Sequence, residues 1–262
     1  MSIDYSSVTE LAGAKGSRAQ LERACNRYYF ASTFCQDKDV LEVACGVGQG
    51  LGYLARVARR VVGVDIDSRI LEIPRRTYLG RSKIEIAQGD AQRLDFADGS
   101  FDVVILYEAL YYVPDADRFA TEAARVLRKD GVLLVCTANK DLPDFNPSPY
   151  SHAYHGPPEL RALLEPHGFR VTMYGDTPVD SRSLRAKTLR RLKSAAVRLR
   201  LMPKTMRGKE VLKRIVFGKL VSLPAEIDDA MALRRTPVEI PSDQACLDYA
   251  VVFCVARLQA AS

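Results

Sequence analysis

The sequence of 262 residues reads as an α/β protein, a doubly wound parallel sheet covered by helices on both faces, and three features lead there. A strand, a glycine-rich turn and a helix follow one another over residues 39–58, which is how a nucleotide-binding α/β unit opens. Beyond it, strand-like and helix-like segments alternate at lengths that lay parallel strands side by side. Apolar residues make up 47% and charged residues 27%, the balance of an ordinary globule with a sizeable core.

Taken in order, Ser17 caps a helix that runs to about Cys35, with Leu21, Ala24, Cys25, Tyr28, Ala31 and Cys35 at helical spacing. Asp39 to Ala44 is a buried strand, and the glycine cluster after it opens a helix over Gly50 to Ala58. Strands at Arg60 to Ile66, Lys83 to Gln88, Phe101 to Leu106 and Gly131 to Thr137 enclose helices at Ser68 to Leu79 and Asp117 to Arg128. Asp141 to Pro158 holds five prolines and two of the three histidines and reads as an irregular loop. A short helix at Glu159 to Pro166 and a strand at Gly168 to Tyr174 follow. Leu189, Leu192, Ala196 and Leu199 share one helix face before Pro203 interrupts, a second helical stretch runs from about Lys209 to Leu220, and Leu247 to Leu258 is the closing strand. The chain divides into a core over residues 1–180 with its N-terminal helix, a basic helical insertion or lid over 181–246, and a last core strand with its tail over 247–262.

Several classes are excluded. Apolar runs stop after a few residues, well short of the ~20 that span a bilayer, and Met1 to Gly16 has no apolar core of the signal-peptide kind. The cytoplasm is the expected compartment. Six cysteines without a Cys-x-x-Cys pair predict neither a disulfide framework nor a metal site. The net charge of +6 is unevenly placed: residues 181–220 hold fourteen Lys or Arg and one acid, Glu210, so this tract carries +13 and the rest of the chain −7. A solvated face, a site for an anionic acceptor and docking on an acidic membrane all accommodate that tract.

Gly46-x-Gly48-x-Gly50 departs from the Gly-x-Gly-x-x-Gly of dinucleotide enzymes, whose third glycine position here is Leu51. What it offers is a turn tight enough for a small ligand to approach the backbone, with Glu42 just before it. Asp65, at the end of the second strand, suits the two hydroxyls of a ribose, and Asp90 with the amide of Ala91 suits the edge of an adenine. Asp65 also has a bland reading as a helix cap, and Asp90 as a turn residue.

These pieces resemble the class I S-adenosylmethionine-dependent methyltransferases, and within them the type 11 methyltransferase domain. The resemblance covers about Arg27 to Arg170 and rests on VLEVACGVGQG (Val40 to Gly50), VVGVDID (Val61 to Asp67), QGDAQRLDFADGSFDVVI (Gln88 to Ile105) and RVLRKDGVLLV (Arg125 to Val135). It implies a Rossmann-like sheet of seven strands whose last strand lies antiparallel between its neighbours. It implies S-adenosyl-L-methionine as cofactor, with Glu42, Ala44, Gly46 and Gly48 at the methionine part, Asp65 at the ribose, Ile66 on the adenine face, and Asp90 and Ala91 at the adenine edge. Arg27-Tyr28-x-Phe30-Ala31 is similar to a segment that folds over the cofactor, so that Tyr28 reaches the cofactor carboxylate with Arg27 as its ionic partner; the alternative is an amphipathic helix with Tyr28 in the core.

On the acceptor side, Tyr107 to Tyr112 stands where the family presents residues to the reacting methyl. Tyr107 is taken with the cofactor, Tyr111 as a ring that favours a cation, and Glu108 as the group that takes or orients an acceptor proton. His155 and His152, beside Tyr150 and Tyr154, are further general-base candidates. The function implied is methylation of a hydroxyl on a small molecule or sugar-containing intermediate of polysaccharide or natural-product assembly. Alternatives are an RNA or protein methyltransferase that docks through the basic tract, an N-methyltransferase of a small amine, and a non-catalytic cofactor-binding module. Nucleic acid is disfavoured because Phe217 is the single aromatic within residues 181–220, where base stacking needs several. The oligomeric state is left open.

Overall fold

A computed structural model describes residues 13–179 and 220–259. The elements in chain order are β1 (Lys15–Gly16), α1 (Arg18–Ser32), β2 (Asp39–Val43), α2 (Leu51–Ala55), β3 (Arg60–Asp65), α3 (Ser68–Thr77), β4 (Ile84–Gln88), β5 (Phe101–Tyr107), α4 (Ala116–Val126), β6 (Leu127–Ala138), α5 (Pro157–Leu164), β7 (Phe169–Pro178), β8 (Val221–Ser222), β9 (Val238–Ile240) and β10 (Tyr249–Leu258).

The main sheet has the order β4-β3-β2-β5-β6-β10-β7-β9. Strands β2 to β6 pair in parallel, while β10 is antiparallel to both neighbours, β6 and β7. The expected inverted last strand is therefore present, and the count is corrected from seven to eight, because Val238–Ile240 adds an antiparallel edge strand to β7. Strand parity assigns the two faces: Val40, Val103, Ile105, Leu134 and Phe253 pack under α1 and α2, and Leu41, Val104, Leu106, Leu133 and Val252 pack under α4 and α5. Both layers are apolar, which is why these strands read as continuous hydrophobic runs.

Helix ends follow their capping chemistry. Ser17 Oγ accepts from the Gln20 amide at 3.1 Å, and Asp67 and Asp115 cap α3 and α4 in the same way. α5 begins two residues before the expected start at Glu159, because a proline is preorganised for the first helical turn and Pro157 and Pro158 both sit there. α2 is shorter than expected, and β6 starts at Leu127 instead of Gly131, directly from the last residue of α4. At the edge opposite the strand C-termini, Asp39 takes Arg59 on both oxygens (2.9 and 2.6 Å) and Arg128 at 2.9 Å.

The helical stretches expected within residues 181–219 lie outside the described residues. The described remainder of that insertion, residues 220–246, carries the short strands β8 and β9 and no helix. Its first part is a strap across the top of the molecule. Leu223 exchanges backbone hydrogen bonds with Gly13 and Ala14; Gln49 Nε2 donates to Pro224 O at 2.8 Å, and the Ile227 amide donates to Gln49 O at 2.9 Å. Tyr29 donates to Asp228 O at 2.5 Å, Asn26 Nδ2 to Leu233 O at 3.2 Å, and the Arg235 amide to Asn26 Oδ1 at 2.6 Å. Arg235 then reaches Asp176 on β7 at 3.0 Å. With Leu223, Ile227 and Ala232 buried beneath it, the strap fixes α1 over the sheet.

Candidate active site

The C-terminal ends of β2 to β6, the start of β10 and the underside of α1 enclose a cleft of about 820 Å³. Ligands bind outside the carboxyl ends of an open parallel sheet because there the loops diverge and leave room. Two non-glycine residues at this rim have left-handed backbone, Ala44 (φ 56°) after β2 and Glu108 (φ 52°) after β5. Such strain persists where surrounding structure holds it, and here it turns both chains sharply at the cleft wall.

At the end of β3, Asp65 accepts the Gly46 amide on Oδ2 (2.9 Å) and the Asp67 amide on Oδ1 (3.0 Å). It thereby ties the glycine turn to β3 while remaining part of the cleft lining. Burial raises its carboxyl above the usual aspartate value. Ile66 is 52% exposed, an apolar surface at the cleft available to a flat ring. Asp90 and Ala91 line the cleft beside it; Asp90 Oδ1 also accepts the Gln92 amide at 2.9 Å, so the turn role expected as an alternative is present together with the cleft position. Asp67, not Asp65, caps α3. Ala44 and Gly46 also line the cleft, whereas Gly48 is outside the lining. A Cβ on Gly48 would meet Pro74 at 2.8 Å and Leu51 at 2.9 Å, and φ is +71°, so that glycine serves helix packing.

Beneath α1, the ring of Tyr28 covers Gly50, where a Cβ would fall 1.8 Å from it. Its hydroxyl donates to Glu42 Oε1 at 2.6 Å, which corrects the expectation that Tyr28 is directed at a ligand carboxylate. Glu42 is 2% exposed, and burial pushes its carboxyl up to about 7. Tyr107 stands edge-on to Tyr28 and Phe253, with ring centroids 5.9 Å away in each case.

Toward β6, Tyr111 donates to Glu108 Oε2 at 3.1 Å and stacks on Tyr154 at 4.2 Å. Burial, with Glu108 adding to it, raises the Tyr111 hydroxyl, which stays a donor at any working pH. Phe145 meets Tyr154 edge-on, and Leu142, Phe145, Tyr112 and Val113 continue the wall. His155, His152, Tyr150 and Tyr154 are outside the lining: His155 is lowered by burial and faces Glu159 and Lys140, the His152 amide donates to Tyr111 O, and Tyr150 is 40% exposed. The structure thus brings Glu108 and Tyr111 together and leaves His155 behind α5's entry. Gln20 and Arg23 of α1 and Leu142 and Phe145 of the proline loop line the cleft without having been expected there. Helical spacing could have found the first two, since Gln20, Arg23 and Arg27 share a stripe with a period of three to four residues.

A doubly wound sheet with acids at successive strand ends around a glycine turn is an arrangement of the Rossmann-like class. Residues 41–135 match the model of the methyltransferase domain family. A probable S-adenosylmethionine-dependent methyltransferase of Mycolicibacterium smegmatis is 36% identical over 143 residues, 52% of this chain and 54% of that protein. A fatty-acid O-methyltransferase of the same organism is 41% identical over 114 residues, 42% of this chain and 41% of that protein. The chain spans about half the length of the curated relatives it matches. The solved YcgJ protein of Bacillus subtilis shares the fold, with a TM-score of 0.58 at 15% identity over 90% of this chain and 99% of that one.

Proposed function

We propose that this chain is an S-adenosylmethionine-dependent methyltransferase that methylates a hydroxyl of a small acceptor with an apolar body. The observation that carries it is the pairing, in one cleft, of the nucleoside-type acids Asp65 and Asp90 with Glu108, which Tyr111 holds at the strained end of β5. S-adenosylmethionine, when bound, supplies an electrophilic methyl on a sulfonium. Its fit rests on the ribose-type acid Asp65, the open face of Ile66 and the buried carboxylate of Glu42. Methyl transfer is an in-line displacement, so most of the chain's work is to hold the nucleophile in a near-attack pose, an effect worth up to ~7–11 kcal/mol. Glu108 takes the hydroxyl proton, and Tyr111 keeps its carboxylate aimed. Leu142, Phe145, Tyr111 and Tyr112 exclude water and receive the acceptor's apolar part, which supports the natural-product or acyl reading over a bare sugar. The fatty-acid O-methyltransferase among the relatives is in keeping with that choice.

The test is turnover of a panel of hydroxyl and carboxyl acceptors by the purified full chain, read by mass spectrometry of the products. Mass gain on at least one apolar-bodied acceptor is expected. Tight binding of S-adenosylhomocysteine with no product from any acceptor would leave a non-catalytic binding module, and no binding of either nucleoside would remove the reading altogether. The basic tract, as the proposed contact for an anionic acceptor or an acidic membrane, is tested by reversing Arg190, Arg191 and Lys193 to Glu. That triple variant should weaken acceptor use or vesicle binding and spare cofactor affinity, and both effects should shrink with salt.

A further inference from the structure

The glycine turn between β2 and α2 is held from two directions by residues that stand outside the cleft. From the end of α3, the buried Tyr78 donates its hydroxyl to Gly48 O at 2.7 Å. From above, the strap occupies Gln49, whose Nε2 donates to Pro224 O at 2.8 Å and whose carbonyl accepts the Ile227 amide at 2.9 Å. Ala44, Gly46, Val47 and Gln49 line the cleft, whereas Tyr78, Arg81 and Glu226 are outside its lining. A turn with glycines at 46, 48 and 50 has little stiffness of its own, so its shape depends on what grips it.

One ion pair joins the two holders. The Arg81 guanidinium lies over the Tyr78 ring, 5.2 Å from its centroid, and its two Nη atoms donate to Glu226 Oε1 and Oε2 at 2.8 and 2.7 Å. Glu226 stands in the strap between Pro224 and Ile227, and its carboxylate lies against Gly52 of α2, where a Cβ would fall 2.2 Å from Oε1. A closed circuit results: Gly48 to Tyr78, Tyr78 to Arg81, Arg81 to Glu226, and Glu226 through the strap to Gln49. Exposed ion pairs as a rule contribute little, but a bidentate fork backed by a ring and seated on a glycine has one geometry to adopt.

We propose, on the methyltransferase reading above, that Arg81 and Glu226 are positioning residues for the cofactor site: their ion pair fastens the strap to the glycine turn and presets the turn in the shape that receives S-adenosylmethionine. Neither side chain reaches the ligand. The pair acts on the free protein instead, because a ligand that binds one shape of the turn loses apparent affinity in proportion to the fraction of molecules that have left that shape.

The experiment is calorimetry of the full chain with S-adenosylhomocysteine, beside hydrogen exchange of the free protein. Arg81→Gln and Glu226→Gln should each weaken binding about three- to tenfold. The double variant should bind no more weakly than the weaker single, because both changes open the same link. In all three, the amides of Gly46 and Gly48 should exchange faster while those of β5 keep the wild-type rate. Glu85→Gln opens an ion pair of the same exposed kind, Arg60 to Glu85 at 3.7 Å across β3 and β4, and should leave affinity unchanged. In the wild type, about 1 M salt, where charges are screened within ~3 Å, should bring the affinity down toward that of Glu226→Gln, whose own affinity should stay put. Wild-type affinity in both single variants, penalties that add in the double, an equal loss in Glu85→Gln or unchanged exchange at the two glycines overturns the proposal. The salt comparison on the wild type decides it where a variant fails to fold. Failure of the wild type to bind S-adenosylhomocysteine overturns the methyltransferase reading instead.

Discussion

Gly50→Ala isolates the contact that seats Tyr28. The glycine has φ −94°, so an alanine there carries no backbone strain, and the effect is purely one of space. Its Cβ would lie 1.8, 2.1 and 2.2 Å from three ring carbons of Tyr28. Carbon atoms settle at about 3.5–4.0 Å, so the ring must withdraw by roughly 1.5–2 Å. That is far enough to break the 2.6 Å hydrogen bond to Glu42. Overpacking costs ~1–3 kcal/mol and a lost buried hydrogen bond ~1–3 kcal/mol, so the variant should lose about 2–6 kcal/mol in urea unfolding. Binding of S-adenosylhomocysteine should fall with it. With Tyr28→Ala in the background there is no ring to strike, and the same Gly50→Ala should then cost under about 1 kcal/mol, the residue being only a helix cap. The coupling between the two sites should thus exceed about 1 kcal/mol. Penalties that add within ~0.5 kcal/mol would show that Tyr28 and Gly50 do not press on each other as described.

Gly48→Val should unfold more easily by about 2–4 kcal/mol, because φ +71° and the 2.8 Å approach of Pro74 both oppose a side chain. A variant with wild-type melting that merely loses ligand would return Gly48 to the cleft. Arg59, first, and Arg128 hold the Asp39 carboxyl down to about 2, below its unfolded value near 3.9. That stability is fully present above about pH 4 and lost as pH falls through about 2. With the guanidiniums facing solvent, Asp39→Asn should remove on the order of 1–2 kcal/mol at neutral pH and flatten the acid limb between those values; an unchanged acid transition refutes it. For turnover, Glu108→Gln should lower kcat about 100-fold with S-adenosylhomocysteine affinity intact, and His155→Ala should leave kcat alone. The opposite ranking would move the proton acceptor to the proline loop.

Much of this was legible beforehand because the signals were local. Strand periodicity and the glycine turn are local patterns, Asp65 and Asp90 stand at strand ends that these patterns mark, and the cleft forms from consecutive strand ends. What the sequence did not announce are contacts between residues far apart in it. Nothing near Gly48 announces Pro74, and nothing near Tyr28 announces that its hydroxyl is taken by Glu42. His155 looked catalytic by residue type, yet it stands two residues before α5 starts at Pro157 and outside the cleft lining. The edge strand β9 is three residues long, too short to leave a period-two pattern.

The strap also sets a calendar for synthesis. α1 is made before the sheet, but the groups that meet Tyr29, Asn26 and Phe30 are Asp228, Leu233, Arg235 and Phe253, about two hundred residues later. The strand that completes the sheet, β10, slots between two strands already made. A growing chain can therefore seat α1 on residues 41–135, through Tyr28 on Glu42 and Gly50, before the strap that fastens it is made. Contacts separated by about two hundred residues form slowly, since the closing loop must first be collected. The roof of the cleft is thus seated early and fastened late, and the unfinished chain holds its cleft wall before the clasp that keeps it shut.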